Sequence, residues 1–380
     1  MEIPFNKPFV TGEELNYVRH ALESGGQSGN NYFGKRVVDL MKDKYGFEEV
    51  FLTPSCTAAL EMGVLLAGIK PGDEVIMPSY TFSSTANAVY IFGGVPVFCE
   101  VSPDSMNIEI SKIESLITAK TKMIIPIDYA GVSCDIEGIM QLAEKYNLVV
   151  MQDCAQSYGT IYRGKPSGTV PHLACFSFHE TKNYSSGEGG ALIVNVHEWK
   201  ERASYLQEKG TDRSKVLEGE KSRYSWIDKG SSYLLSDILA AILLAQLEAE
   251  NLIKNKRKVV TRAYREILRP YEINGFIKLC SYGDDVEVNH HAFWILLDSG
   301  TNRDKFAELL KAKQISAYIG YVPLHSSRMG TSLGYTKEDL PLTEEMASRI
   351  IRLPLYTELA DEGLEYCCEG ITNALEKIYH

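Results

Sequence analysis

Two side chains define the chemistry open to this chain, a lysine and an aspartate. Lys182 is the single lysine in the run Ser177-Phe178-His179-Glu180-Thr181-Lys182-Asn183-Tyr184-Ser185-Ser186-Gly187-Glu188-Gly189-Gly190. That run leaves one apolar strand-like stretch as a polar loop and enters the next through a glycine-rich turn. Loops at strand ends are where α/β proteins place chemistry. A solvated loop lysine has no special reactivity. One packed beside Phe176, Phe178 and small residues is desolvated, its pKa falls, and it becomes a nucleophile toward carbonyls. Asp153 closes the apolar run Val149-Val150-Met151-Gln152-Asp153. A carboxylate at the end of a buried strand either caps a helix or meets a cation, because leaving it unpaired is costly.

Two further stretches have the same strand-then-turn character. Leu52-Thr53-Pro54-Ser55-Cys56-Thr57-Ala58-Ala59-Leu60 runs from a strand into small residues and at once into a helix. It reads either as an ordinary Ser/Thr cap or as a phosphate site, since a helix N-terminus offers free N–H groups and a positive dipole end. In Met77-Pro78-Ser79-Tyr80-Thr81-Phe82-Ser83 a strand ends beside two aromatics. Phe82 is either core or a surface on which a flat ring stacks. A lysine that forms an imine and an aspartate that keeps a pyridinium nitrogen protonated, one strand–loop–strand unit apart, are the pair a pyridoxal phosphate (PLP) site requires.

The elements that must position these residues alternate. Strand-like runs at Val50–Thr53, Glu74–Met77, Pro96–Val101, Lys122–Ile127, Leu148–Asp153, Ala174–Phe178 and Ala191–Asn195 are separated by helical patterns such as Thr57–Ala67, Ser83–Phe92 and Asp135–Tyr146. Near-continuous apolar runs suit strands covered on both faces, and the alternation predicts an α/β fold with a mostly parallel sheet. A long helix follows at Tyr233–Glu250 and a basic one at Lys254–Arg269. Beyond them the pattern changes to strand-like His291–Leu297, helical Arg303–Lys313, strand-like Ile315–Tyr321 and a closing helix at Glu362–Ile378. The expected division is a large domain over 1–246 and a smaller α+β domain over 247–380.

Composition narrows the function classes. The chain has 380 residues, 44% of them hydrophobic and 23% charged, and 39 basic against 50 acidic residues give a formal charge of −11. An acidic balance argues against a sequence-independent nucleic-acid binder. No stretch of about 18 apolar residues predicts a membrane span, and Met1–Val10 lacks the apolar core of a secretory signal. The eight cysteines are scattered, with no C-x-x-C spacing; reduced thiols in a cytoplasmic protein are expected. His290 and His291 are adjacent, so on a strand they point to opposite faces, and no metal site is expected.

In their order and spacing, Thr53–Leu60, Pro71–Asn87, Tyr129–Cys134, Phe176–Gly190, Gly230–Asp237 and Tyr321–His325 give the chain a resemblance, over most of its length, to the DegT/DnrJ/EryC1/StrS sugar aminotransferases. The resemblance implies the type I, or aspartate aminotransferase, fold of PLP-dependent transferases: a seven-stranded, mostly parallel sheet in the large domain and a smaller α+β C-terminal domain. Lys182 matches the lysine that holds the cofactor. Some relatives carry histidine there and are sugar dehydratases; the lysine here implies transamination. Asp153 matches the partner of the pyridinium nitrogen and Gln156 the residue that hydrogen-bonds the ring hydroxyl. Phe82 matches the aromatic over the ring. Cys56, Thr57 and Ala58 match the backbone amides on the phosphate, and Ser177 the hydroxyl on it. His179 matches a position beside the cofactor, and Tyr321 and His325 match a small-domain motif that faces the active site; all three are expected substrate-binding residues, with dimer contacts the alternative for the last two.

One stretch departs from the family pattern. Relatives commonly read Gly-x-Asn-x-Arg-Met-Ser before the long helix, and that asparagine reaches the phosphate of the neighbouring subunit. Here the run is Gly230-Ser231-Ser232-Tyr233-Leu234-Leu235-Ser236, with the shorter Ser232 in the asparagine's place. A homodimer with its active site at the subunit interface is implied by the same analogy. The implied reaction converts dTDP-4-keto-6-deoxy-D-glucose and L-glutamate to dTDP-4-amino-4,6-dideoxy-D-galactose and 2-oxoglutarate, with PLP cycling through pyridoxamine phosphate (PMP). Alternatives are the gluco epimer, a 3-keto or GDP-linked sugar, and, from another class, a non-catalytic ligand-binding paralogue that regulates.

Overall fold

A computed structural model describes residues 1–379; His380, the last residue of the expected second domain, lies outside the described residues. The chain builds strands β1 (Glu49–Thr53), β2 (Glu74–Pro78), β3 (Val95–Cys99), β4 (Thr121–Ile124), β5 (Val149–Asp153), a short ribbon β6 (Ile161–Tyr162) and β7 (Lys165–Pro166), then β8 (Leu173–Ser177), β9 (Gly190–Val194), β10 (Ile277–Leu279), β11 (Val286–Glu287), β12 (Phe293–Leu297) and β13 (Ile350–Leu353). Seven of these form one sheet in the order β1-β9-β8-β5-β4-β2-β3. Neighbours from β3 to β8 pair in parallel, and β9 runs antiparallel to both β8 and β1. The seven expected strands are thus the seven of the sheet, and the fold is the α/β architecture anticipated.

Strand periodicity explains why helices cover both faces. In β8, Leu173 and Cys175 join a core cluster with Leu60 and Val64 of the helix Cys56–Leu66. Ala174 and Phe176 point the other way, into a cluster with Ala240 and Leu244 of the helix Asp237–Glu248. In β9, Leu192 and Val194 take the first face and Ala191 and Ile193 the second. Each fully buried Leu, Ile or Phe on these faces contributes about 1.5–3 kcal/mol. The helix Cys56–Leu66 comes very close to the sheet. A Cβ on Gly63 would meet Met151 Sδ at 2.2 Å, and one on Gly190 would meet the amide nitrogen of Cys56 at 2.5 Å. Bare glycines at these two positions let the helix N-terminus lie against the start of β9.

The second body is a three-stranded antiparallel sheet, β10-β12-β13. Trp294, Phe306, Ile351 and Leu375 form its core with the helices Gly300–Ala312 and Leu364–Tyr379. The helix Glu250–Ile273 leads into it. The expected boundary at 246/247 falls inside the helix Asp237–Glu248, just before its end. Residues at the N-terminus also join the second body: the Ile3 amide donates to the Gln314 carbonyl at 2.8 Å, and the Leu355 amide to the Phe5 carbonyl at 3.2 Å. Two local expectations change. Ile315–Tyr321 alternates like a strand but makes only single bridges, Ile3 with Ile315 and Tyr318 with Arg352. The helix expected from Tyr233 starts at Asp237, because the Ser236 side chain caps it by accepting from the Leu239 amide at 3.4 Å. Among the described residues no helix is long and apolar enough to cross a membrane.

Candidate active site

A cavity of about 410 Å³ opens where the sheet's C-terminal strand ends meet the second body. Several strands deliver a side chain to it by ending there, which is where open α/β sheets place ligands. The turn after β1 brings Ser55, Cys56 and Thr57; the turn after β2 brings Thr81 and Phe82; β5 brings Asp153, with Gln156 just beyond; β8 brings Ser177; and the β8–β9 loop brings Lys182. His179 and Tyr321 also line it.

Asp153 is buried, and each carboxylate oxygen accepts one neutral donor: the Ala155 amide at 3.1 Å and the Thr85 hydroxyl at 2.9 Å. No cation of the described residues pairs with it, and burial pushes its carboxyl up, against the weaker pull of these donors and of the Lys182 charge. Lys182 shows the complementary effect. Its Nζ has no acceptor among the described residues, and burial pushes its pKa down, partly opposed by Cys56 and Asp153. A desolvated amine and a desolvated acid in one cavity are groups whose charged forms wait for a partner.

The loop carrying Lys182 is fixed from both sides. Its amide donates to the His179 carbonyl at 2.9 Å, and the Phe178 amide donates to the Gly189 carbonyl at 2.8 Å. The next residue, Asn183, donates its side-chain N–H to the Asn289 carbonyl at 2.8 Å, and its oxygen pairs with His291 Nδ1 at 3.0 Å. Asn289 donates in turn to the carbonyls of Gln156 and Tyr158, each at 2.9 Å. The Lys182 loop and the Gln156 segment therefore share one buried post.

The orientation of Gln156 follows from its neighbours. Its Oε1 accepts from the Ala130 amide at 2.7 Å, so its NH2 end is the one near Tyr321 Oη, at 3.5 Å, and free to donate into the cavity. At the other end of the site, Ser55 caps the helix Cys56–Leu66, and the amides of Cys56 and Thr57 have no intrahelical carbonyl to bond. Helix amides and the Ser177 hydroxyl at one end, with a buried carboxylate and a desolvated amine beside them, form a donor set that suits PLP.

Three expected residues stand elsewhere. The Ala58 amide is already taken, donating to Ser55 Oγ at 3.1 Å, which removes it from the free amides of the helix end. His325 is fully enclosed behind the cavity wall; its Nδ1 pairs with Ser79 Oγ at 2.6 Å and its Nε2 lies 3.5 Å from Glu344, so its place is structural within the chain. Ser232 is exposed and outside the cavity of its own chain. Phe82 lines the mouth, exposed, its ring 6.2 Å from that of Tyr321. His179 is held by Thr181, Nδ1 to Oγ1 at 3.0 Å. Residues that local pattern did not reveal also line the site: Thr85, His291, Tyr318 and Arg352. Thr85 sits one helical turn after Phe82 and was within reach of a strand-end argument; the other three are brought in from the second body.

A family model described as the DegT/DnrJ/EryC1/StrS aminotransferase family matches residues 9–372. The chain belongs to that family. It is 31% identical over 374 residues to GDP-perosamine synthase of Escherichia coli O157:H7, covering 97% of each chain. It is 29% identical over 386 residues to the spore coat polysaccharide biosynthesis protein SpsC of Bacillus subtilis strain 168, covering 98% of this chain and 97% of that one. Among solved structures, Spr1654 from Streptococcus pneumoniae in its PLP form superposes with a TM-score of 0.92 at 25% identity, over 100% of both chains; its PMP form gives 0.91 at 26%. The protein is therefore a PLP-dependent sugar aminotransferase with the fold of its relatives, and the chemistry of the donor set above suits that cofactor.

Proposed function

We propose that the chain transfers the amino group of L-glutamate to the C4 ketone of dTDP-4-keto-6-deoxy-D-glucose, giving dTDP-4-amino-4,6-dideoxy-D-galactose and 2-oxoglutarate. The observation that carries the proposed site is the convergence of Lys182, Asp153 and Gln156 on one cavity whose far end is a capped helix N-terminus with free amides. When bound, PLP supplies an electron sink for the carbanion at the nitrogen-bearing carbon and a carrier for the amino group.

Lys182 Nζ holds the cofactor in the resting enzyme. Burial shifts its balance toward the neutral amine, and in that form it would move the proton from the donor's α-carbon as general base and then acid. Asp153 faces the ring nitrogen and holds a proton there: a buried carboxylate with only neutral donors gains most from a cation opposite it. The NH2 of Gln156 donates to the ring hydroxyl. The amides of Cys56 and Thr57 and the hydroxyl of Ser177 orient the phosphate. Phe82 covers the ring, and His179 and Tyr321 border the space left for the sugar. Ser232, exposed and outside the cavity of its own chain, stands where relatives carry the asparagine that reaches the neighbouring subunit's phosphate, and its shorter side chain is the departure from that pattern.

Similarity to a GDP-perosamine synthase favours a second reading, a GDP-linked keto sugar on the same machinery. Purified enzyme given L-glutamate and each keto sugar separately decides between them. Consumption of the dTDP sugar, with an axial C4 amine in the proton couplings of the product, is expected. Turnover of the GDP sugar alone, or an equatorial or C3 amine, replaces the first reading.

A further inference from the structure

Arg352 is a cation buried in the cavity wall without an anion. It lies on β13, only 7% exposed, next to Leu353 on the lining of the cavity. Its Nε has no hydrogen-bond partner, and among the described residues no Asp or Glu forms an ion pair with it. Aromatic rings surround it instead: its guanidinium carbon is 4.5 Å from the Tyr318 ring centroid, 5.2 Å from that of Tyr321 and 5.6 Å from that of Phe5. Ring faces attract a cation but do not replace the hydrogen bonds that water would give its N–H groups. Arginine cannot relieve the cost by losing its proton. Arg352 lines the same cavity as Lys182 and His291.

The sugar aminotransferase reading, on which this inference rests, gives the cofactor phosphate to the Ser55–Thr57 turn and Ser177, and gives Asp153 to the ring. Neither answers Arg352. We propose that Arg352 is a specificity-determining residue that receives a carboxylate of a substrate. Tyr321 Oη is a neutral neighbour of the guanidinium, and the Nε–H stays without a partner; a planar guanidinium of this kind matches the two oxygens of a carboxylate. That carboxylate has two sources, the amino donor with its 2-oxo acid product, or an acid group borne by the keto sugar.

The test compares holoenzyme carrying Arg352→Met and Arg352→Lys with the unmodified protein. Glutarate, a dicarboxylate without a reactive amine, is titrated against the cofactor absorbance, and KM is measured for L-glutamate and for each keto sugar. Arg352→Met is expected to weaken glutarate by about 10- to 100-fold and to raise KM for glutamate by a similar factor, the size of a lost charge-assisted hydrogen bond. Arg352→Lys should fall between, and dTDP binding should not move. Unchanged glutarate with a raised KM for a keto sugar carrying a carboxyl group upholds the receptor and assigns the second source. Unchanged values for every carboxylate, or a loss confined to dTDP, overturns it. Should Arg352→Met not fold, the unmodified enzyme is titrated with glutarate and with its uncharged diamide: tighter glutarate supports the proposal, and equal affinities overturn it. The yellow colour of each holoenzyme reports separately on Lys182, so a colourless protein counts against the aminotransferase site and not against Arg352.

Discussion

On the wall of the cavity built by the seven-stranded sheet, the chemistry stands at strand ends and is held by short-range bonds. Asp153 closes β5 and takes the Ala155 amide; Ser177 closes β8; Lys182 sits on a loop pinned to itself through Phe178 and Gly189. On the wall built by the second body, Arg352, Tyr318 and Tyr321 meet through rings and charge, and the guanidinium Nε has no partner at all. The first wall is complete for one ligand of fixed shape, as a resident cofactor is. The second is left open on its charged side, as a surface that meets exchanging substrates must be. On the proposed reading the first wall serves mainly the cofactor and the second carries the carboxylate receptor, so variants on the two walls should fail in different ways.

The largest effect is expected at Lys182. Lys182→Ala should abolish multiple turnover, a loss beyond about 10³-fold, because both the covalent anchor and the proton carrier go. The cofactor absorbance of the resting enzyme should change as well. Steady-state kinetics beside a spectrum check this, and normal turnover in the variant would remove the first wall from the chemistry. Asp153→Asn comes next. It should keep bound cofactor, held by the helix amides and Lys182, yet lose about 10²- to 10³-fold in kcat through the lost charge at the ring nitrogen. KM for glutamate should move little, in contrast to Arg352→Met. If Asp153→Asn raised KM and left kcat alone, the division of labour between the walls would be wrong.

The same contrast decides what was legible before any coordinates. Lys182, Asp153 and the Ser55–Thr57 turn could be picked out because each stands where an apolar strand gives way to a turn, a local pattern that the chain states in consecutive residues, whereas Gln156 and Ser177 are reached only through the family resemblance. Ala58 was over-read: an Ser at the N-cap position takes the amide three residues on, and that bond is predictable from Ser55 alone. Arg352 had no such signal. It lies in Ile350-Ile351-Arg352-Leu353, an apolar run with one charge, and only the pairing of β13 with β12 and of Tyr318 with Arg352 brings it to the site. His325 failed for a related reason. The motif likeness that singled out His325 said nothing about which way the chain turns, and it turns His325 inward onto Ser79.

A smaller effect should come from the post between the walls. Asn289 is 2% exposed, bonds the carbonyls of Gln156 and Tyr158, and accepts from the His291 amide at 3.0 Å. Asn289→Ala leaves those carbonyls unpaired in the interior, a loss of about 1–3 kcal/mol. Thermal unfolding should show it as a lowered Tm. The Asn289 backbone carbonyl still accepts from Asn183, but the side chain no longer holds the Gln156 segment against it, so kcat should fall as well, while glutarate affinity at Arg352 should hold. A variant with lowered Tm and unchanged kcat would make Asn289 a purely structural post.

The smallest effect concerns pH and lies just behind that post. His290 pairs Nδ1 with Thr261 Oγ1 at 2.9 Å. Burial first, and then the charges of Lys254, Lys258, Arg257 and Arg265, push its pKa down to about 4 from an ordinary 6.5. Between those two values the unfolded chain binds the proton and the folded chain does not, so folding stability falls as pH drops through 6.5 and levels off near 4. His291 is lowered too and adds in the same direction. Asp153 and Asp128, whose carboxyls are raised by burial, act in the opposite sense, because the folded chain takes up their protons first. The whole-protein curve mixes these signs, and the difference between variants isolates one of them. His290→Asn should lose less stability than the unmodified chain between pH 7 and pH 5, by at most about 2 kcal/mol, read as a gap of a few degrees in Tm that closes again at pH 7. A gap that is the same at both pH values would mean that His290 already carries its proton in the fold, and that the region behind the Lys182 loop is wetter than its burial implies.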